Sequence, residues 1–223
     1  MQTTKIAIIV AGGKGERMNA DIPKQFLEIN GLPILMHTLN VFNAYDPEMK
    51  LILVLPAIQF EFWKALCKKH DFILHHQIVE GGTTRFHSVK NGIDAVTDTQ
   101  ALIAVHDGVR PLVSHDTIQR CFDAALSHKA AIPVVELVDS IRRITGAGSE
   151  HADRSTFRLV QTPQIFDAAL LRKAYEQEFS PFFTDDASVV EALGHKVELV
   201  EGNRENIKIT TEFDLRVANA MIG

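Results

Sequence analysis

Two kinds of residue in this chain are suited to holding anions: glycines grouped in turns, and the lysines and arginines beside them. The segment Ala11-Gly12-Gly13-Lys14-Gly15-Glu16-Arg17-Met18 directly follows a short apolar run, Ile6 to Val10. Glycines let a backbone approach a ligand closely and aim successive N–H groups at it, which suits phosphate. Lys14 and Arg17 add positive charge there, and Lys24, after Pro23, brings a third cation. The turn is not a Walker loop, because no Gly-Lys-Ser/Thr follows at the required spacing. It is not the dinucleotide GxGxxG pattern either, since Met18 stands where the third glycine belongs.

A second glycine turn, Gly81-Gly82-Thr83-Thr84, joins an expected short strand, Gln77-Ile78-Val79, to an expected helix carrying Arg85 and Ser88. Asp107 stands just past an apolar run and ahead of Gly108. A carboxylate at such a strand end suits Mg²⁺, a hard cation that takes oxygen ligands and bridges nucleotide phosphates. The plainer alternative is an aspartate that serves a turn. His106 reads as a packing or hydrogen-bonding residue. None of the ten histidines shows a zinc-like pairing, and His75-His76 reads as an exposed strand start.

The elements that must position these residues follow from the apolar pattern. Ile6–Val10, Leu51–Leu55, Ala101–Val105, Ala131–Val135 and Val197–Val200 are continuous apolar runs, which predicts strands covered on both faces. Between them lie helical stripes: Leu35, Leu39 and Phe42 after Pro33; Phe86, Val89, Ile93 and Val96; and Ile118, Phe122 and Ala125. Thr211-Glu212-Phe213-Asp214 opens a last helix like a capping box. The alternation predicts an α/β fold with a doubly wound, mostly parallel sheet. In such sheets ligands sit outside the carboxyl ends of the strands, which is where the first glycine turn falls.

Residues 138–158 break this rhythm, with Arg142, Arg143, Gly146, Gly148, Glu150, Asp153 and Arg154 and too few apolar residues for a core element; the segment reads as a protruding arm or hairpin, with a disordered loop as the alternative. The expected organisation is one domain over 1–223 with that arm. The chain has 223 residues and a formal charge of −5, from 28 acidic and 23 basic residues. That length buries a substantial core without disulfides or structural metals. The charge argues against nucleic acid or an anionic membrane as partner. Cys67 and Cys121 form no CxxC, and the apolar run near the amino end is too short for a signal or membrane segment. A soluble, cytoplasmic protein is expected.

Taken together, these blocks resemble a known family. Ala-Gly-Gly-x-Gly-x-Arg-Met with Pro23-Lys24-Gln25-Phe26, then Gly81-Gly82 with Arg85 and Ser88, then His106-Asp107 with Arg110-Pro111, are similar to the 2-C-methyl-D-erythritol 4-phosphate cytidylyltransferases. So are Thr162-Pro163-Gln164, Thr184-Asp185-Asp186-Ala187 and Asn206-Ile207-Lys208. The related ribitol-5-phosphate cytidylyltransferases share the fold, the nucleotide loop and the chemistry. Thr184 to Ser188 and the Asp139-Ser140 start of the arm look more like the methylerythritol enzymes. A noncatalytic nucleotide-binding regulator is the reading from another class, and loss of Asp107, Arg17 or Lys24 would signal it; all three are present.

The resemblance implies a Rossmann-like nucleotidyltransferase that joins CTP to a polyol phosphate with release of pyrophosphate and uses Mg²⁺. It implies nucleotide contacts at Ala11, Gly12, Gly13, Gly15, Gly82, Thr83 and Ser88, with Ser88 facing the pyrimidine. Thr83 departs from the acidic residue that many relatives carry there, which leaves the ribose contact open. Arg17, Lys24 and Lys208 are implied as the catalytic cations at the phosphates. Asp107, Arg110, Ser140, Arg154, Thr162 and Thr184 are implied around the acceptor, and Asp107 also as the metal ligand. Arms of two subunits are implied to cross, so that Ser140 and Arg154 serve the partner's site in a homodimer.

Overall fold

The computed structural model describes residues 3–12, 22–146 and 148–222. Gly13, Gly15 and Arg17, with Lys14, lie outside the described residues. In chain order the elements are β1 (Thr4–Val10), β2 (Glu28–Ile29), β3 (Leu32–Pro33), α1 (Ile34–Tyr45), β4 (Lys50–Leu55), α2 (Phe60–Lys69), β5 (Gln77–Glu80) and α3 (Arg85–Asp94). There follow β6 (Ala101–Asp107), α4 (His115–His128), β7 (Ala130–Glu136), β8 (Ile141–Thr145), β9 (Gly148–Ala152), β10 (Arg158–Val160) and β11 (Gln164–Asp167). The last are α5 (Ala168–Ala174), α6 (Asp186–Ala192), β12 (Glu198–Glu201) and α7 (Glu212–Ile222).

Three parallel strands form the centre, with β1 between β4 and β6, and β5 follows β4. Along β1 the side chains alternate between two cores. Ile6 and Ile8 pack with Phe86, Val89 and Ile93 of α3, while Ala7 and Ile9 pack with Leu35, Leu39 and Phe42 of α1 and Phe122 of α4. Burial on both faces is why these strands read as unbroken apolar runs.

Beyond β6 the sheet turns mixed. β11 lies antiparallel between β6 and β7, β10 pairs antiparallel with β7, and β12 is parallel to β7. The sequence pattern foresaw neither β10 nor β11, because β10 has three residues and β11 is polar at both ends, so neither shows a readable period. The reading of β12 as covered on both faces is corrected: Glu198, Leu199 and Glu201 are exposed. β8 and β9 form a two-stranded sheet of their own, and Arg158, assigned to the arm from sequence, belongs to β10 instead. His76 is not exposed; it is half-buried and its Nε2 accepts from Trp63 Nε1 at 2.9 Å.

The helix ends are set by local chemistry. Thr84 caps α3 by accepting from His87 N at 3.3 Å, and Ser114 caps α4 by accepting from Thr117 N. At α7 the capping box forms: Asp214 N donates to Thr211 Oγ1 at 3.2 Å and Thr211 N donates to Asp214 Oδ2 at 2.8 Å.

Candidate active site

At the end of β1, Val10 has Val54 on one side and Asp107 on the other. The chain order reverses there, since β4 follows β1 in sequence and β6 lies across it, which is where open α/β sheets leave a crevice. A cleft of about 290 Å³ opens at this point. Ala11, Gly12 and Lys24 line one wall, Gly82, Thr83 and Ser88 another, and Asp107 with Lys208 the floor and rim. A larger hollow of about 750 Å³ lies at the opposite, amino ends of the strands. Its Lys50 and Asp98 pair with each other at 2.9 Å, so it offers no converging charge.

Glycine is required at two places around the cleft. A Cβ on Gly82 would fall 2.3 Å from His87 Cβ, and one on Gly108 would fall 2.9 Å from Ala11 Cβ. Ser88, buried beneath the second turn, accepts from Gly82 N at 3.0 Å and donates to Thr84 O at 2.9 Å, so its hydroxyl shapes that turn. Gln25 does the same for the first wall, donating from Nε2 to Ala11 O at 2.7 Å.

Asp107 is 8% exposed and surrounded by cations. Its Oδ2 lies 3.2 Å from Arg110 Nε and 3.1 Å from Lys208 Nζ, and its Oδ1 lies 3.8 Å from Arg85 Nε. Burial works against its charge, yet Arg85, Lys208 and Arg110 together outweigh it and hold the carboxyl well below its ordinary range. Arg110 also donates from Nη1 to Asn206 O at 2.7 Å, tying the 206–208 segment to β6.

The backbone of Asp107 is fixed by a chain of hydrogen bonds. Its N–H donates to Thr162 Oγ1 at 3.1 Å; that hydroxyl is 3.0 Å from His106 Nδ1, and His106 Nε2 is 3.0 Å from Arg110 O. The carbonyl can only accept, so Nε2 carries the proton and Nδ1 accepts from Thr162. Burial pushes the imidazole down to about 4, and it is neutral at pH 7. His106 therefore packs and bonds, as its sequence position suggested.

Arg85 spans two carboxylates. Its Nη1 and Nη2 bond both oxygens of Asp186, at 2.9 and 2.7 Å, and its Nε faces Asp107. Burial opposes the guanidinium's charge, but Asp186 and then Asp107 raise its pKa above the ordinary value.

Ala11, Gly12, Lys24, Gly82, Thr83, Ser88, Asp107 and Lys208 are thus brought together from five distant stretches of chain. Arg110 and Thr162 stand behind Asp107 and hold it. Ser140, Arg154 and Thr184 are exposed and do not line the cleft of the single chain; Arg154 Nη1 donates to Val138 O at the base of the β8–β9 hairpin. Sequence reasoning gave no role to Gln25, Asp186 or Tyr175. The signal available for the first two was a polar residue inside an otherwise ligand-directed block. Among the described residues no group of three or more metal-ligating side chains occurs.

Comparison with known proteins shows the family. Residues 5–223 match the model of the IspD, 2-C-methyl-D-erythritol 4-phosphate cytidylyltransferase, family. The chain is 58% identical to the 2-C-methyl-D-erythritol 4-phosphate cytidylyltransferase of Bacteroides thetaiotaomicron over 96% of this chain and 98% of that protein. It is also 58% identical to that of Bacteroides fragilis, over 98% and 99%. Among solved structures, the 4-diphosphocytidyl-2C-methyl-D-erythritol synthase of Anaerococcus prevotii superposes with a TM-score of 0.83 at 31% identity, covering 99% of this chain and 96% of that one. The 2-C-methyl-D-erythritol 4-phosphate cytidylyltransferase of Thermus thermophilus does so with a TM-score of 0.79 at 33%, covering 99% and 98%. Of the two families that the sequence resembles, it is the one these relatives represent: the chain is a cytidylyltransferase and belongs to the 2-C-methyl-D-erythritol 4-phosphate cytidylyltransferase family.

Proposed function

We propose that the cleft at the end of β1 transfers the cytidylyl group of CTP to 2-C-methyl-D-erythritol 4-phosphate, releasing pyrophosphate, in non-mevalonate isoprenoid synthesis. The observation that carries this reading is the convergence of Lys24 and Lys208 with Asp107 between two glycine-bearing walls, in a chain whose net charge is negative. The phosphate oxygen of the acceptor attacks the α-phosphorus in line with the leaving pyrophosphate. A phosphate monoester has its second pKa at about 6, so it is already ionised near neutral pH and no side chain need take a proton from it. That accords with a neutral, buried His106 that touches no open space.

The task left to the protein is to bring two anions together and to stabilise the charge that develops, by position and by fixed cations. Lys24, with Arg17, is assigned to the triphosphate and Lys208 to the α-phosphate. The wall of Ala11 and Gly12 and that of Gly82 and Thr83 receive the nucleotide through backbone N–H groups, and Gly13 and Gly15 are assigned to the nucleotide as well. Ser88 reads the cytosine through the shape it gives the Gly82 turn. Asp107 and Arg110 are assigned to the acceptor, Arg110 through its hold on Asp107, with Thr162 fixing Asp107 from behind.

The donor set suits Mg²⁺ in one form only. Asp107 offers a single carboxylate, which is how Mg²⁺ is held when triphosphate oxygens and waters fill its other positions. Bound there it would neutralise phosphate charge beside the lysines. Ser140 and Arg154 of the arm lie outside the single-chain cleft, which supports their acting in a homodimer, with each arm reaching the partner's acceptor site; Thr184 is assigned to the acceptor. Two free cysteines support a reducing, cytoplasmic location.

Pyrophosphate release with CTP and Mg²⁺, comparing 2-C-methyl-D-erythritol 4-phosphate, ribitol 5-phosphate and no acceptor, tests the reading. Turnover with the first acceptor alone is expected. Faster turnover with ribitol 5-phosphate would reassign the acceptor, and no turnover with either would remove the catalytic assignment.

A further inference from the structure

The mechanism above leaves one buried charge unused. Asp186 has no exposed surface, lies in the first turn of α6, and receives both Nη groups of Arg85. Tyr175, itself 1% exposed, donates its hydroxyl to Asp186 Oδ1 at 2.5 Å. The neighbouring backbone is pinned as well: Ala187 N donates to Gln164 Oε1 at 2.9 Å, and Gln164 Nε2 donates to Asp185 Oδ2 at 2.8 Å. From the other side Phe86 stacks on Tyr175 at 4.7 Å, and Lys90 Nζ donates to Tyr175 O. Asp186 is thus a fixed anchor rather than a mobile counterion.

What this anchor controls is the second carboxylate that Arg85 faces. Asp107 Oδ2 already receives Arg110 and Lys208. Arg85 Nε lies 3.8 Å from Oδ1, outside hydrogen-bond range. A guanidinium prefers a two-point fork on a carboxylate, and Asp186 occupies that fork. If Asp186 lost its charge, the half-buried guanidinium would be left without its main counterion, which is costly. The nearest remaining carboxylate oxygen is Asp107 Oδ1.

We propose that Asp186 is a positioning residue that holds Arg85 off Asp107 and so keeps Asp107 Oδ1 open for the divalent cation that arrives with the nucleotide. The inference rests on the reading of Asp107 as the metal carboxylate. Tyr175 serves the same end by fixing Asp186.

The test compares CTP affinity with Mg²⁺ and with EDTA, by calorimetry, and takes the ratio as the metal enhancement. A loss of fold or of cleft shape moves both affinities; loss of access to Oδ1 moves only the first. Asp186→Asn is expected to lower the enhancement by about 10–100-fold, the usual effect of losing a group that orients a metal ligand. Asp186→Glu is expected to restore most of it. The double variant Arg85→Gln with Asp186→Asn removes the competing guanidinium, and is expected to keep an enhancement near that of wild type even if Asp186→Asn alone does not fold. An unchanged enhancement in Asp186→Asn, or a lost one in the double variant, overturns the inference while leaving the metal reading intact. No enhancement in wild type overturns the metal reading and this inference with it. Pyrophosphate release by wild type tests the transfer reaction independently of either.

Discussion

The ammonium of Lys208 lies 3.1 Å from Asp107 Oδ2, although one residue follows the described fold's last strand and the other ends its central one. The bond joins the 206–208 segment to β6 at the floor of the cleft, and Arg110 reinforces it by holding Asp107 and Asn206 O together. Lys208 is nevertheless 43% exposed in its side chain, so the ammonium sits at the rim with room to meet a phosphate.

Lys208→Ala therefore removes a cation from the reaction centre and little from the core. Loss of one principal electrostatic donor lowers turnover by about 10²–10³-fold, and the same is expected of Lys24→Ala. Both variants should match wild type in circular dichroism and melt near its temperature. A variant that keeps near-normal kcat would take its lysine out of the site.

His106 gives the fold a defined response to acid. Its pKa is about 4 when folded, chiefly through burial, against about 6.5 when unfolded. The unfolded chain thus binds a proton that the native state resists. The contribution is fully present above about pH 6.5 and is lost as pH falls from there to about 4, with an amplitude of about 3 kcal/mol. Urea unfolding at steps between pH 4 and pH 7 should show that slope in wild type and a flatter one in His106→Gln. Equal slopes would place the acid response elsewhere.

The strands and helices that carry the cleft were legible because each repeats one chemistry long enough to be read. β1, β4 and β6 are apolar without interruption since both faces are covered, and α1, α3 and α4 show their stripes. The antiparallel insert was not legible: β11 is Gln164-Ile165-Phe166-Asp167, whose two polar ends pair across the sheet and hide its period. At the site, the residue types that line the cleft announced themselves through glycine and charge. The hydrogen-bond chain from Asp107 through Thr162 to His106 did not, because its members are 55 positions apart and only folding sets them side by side. Asp186 was hidden for the same reason, since its partner Arg85 lies 101 positions away.

Ser88, which the family resemblance implied as the base reader, has its hydroxyl engaged with Gly82 N and Thr84 O. Ser88→Ala leaves the Gly82 N–H without its acceptor and frees the turn. The KM for CTP is expected to rise about tenfold, equivalent to ~1.4 kcal/mol, and discrimination against UTP should weaken, with kcat less affected. Rates with CTP, UTP, ATP and GTP measure this. If the variant keeps wild-type selectivity, the base is read elsewhere in the cleft.

The β8–β9 hairpin bears on how many subunits one active site needs. A two-stranded ribbon is marginal in water by itself, and this one exposes Ile144 at 81% beside its turn. Apolar side chains at such a tip are expected to be covered by a second subunit, so the protein should sediment as a dimer and Ile144→Asp should shift it toward monomer. If Arg154 serves the partner's acceptor site, an Arg154→Ala chain damages its neighbour's cleft, whereas Lys208→Ala damages its own. In a hybrid dimer of the two variants both defects then fall in one cleft and the other is whole. Mixing two inactive variants should restore turnover that neither has alone, and the gain should vanish when Ile144→Asp is added to both. A mixture that stays inactive despite forming hybrid dimers would confine Arg154 to its own chain.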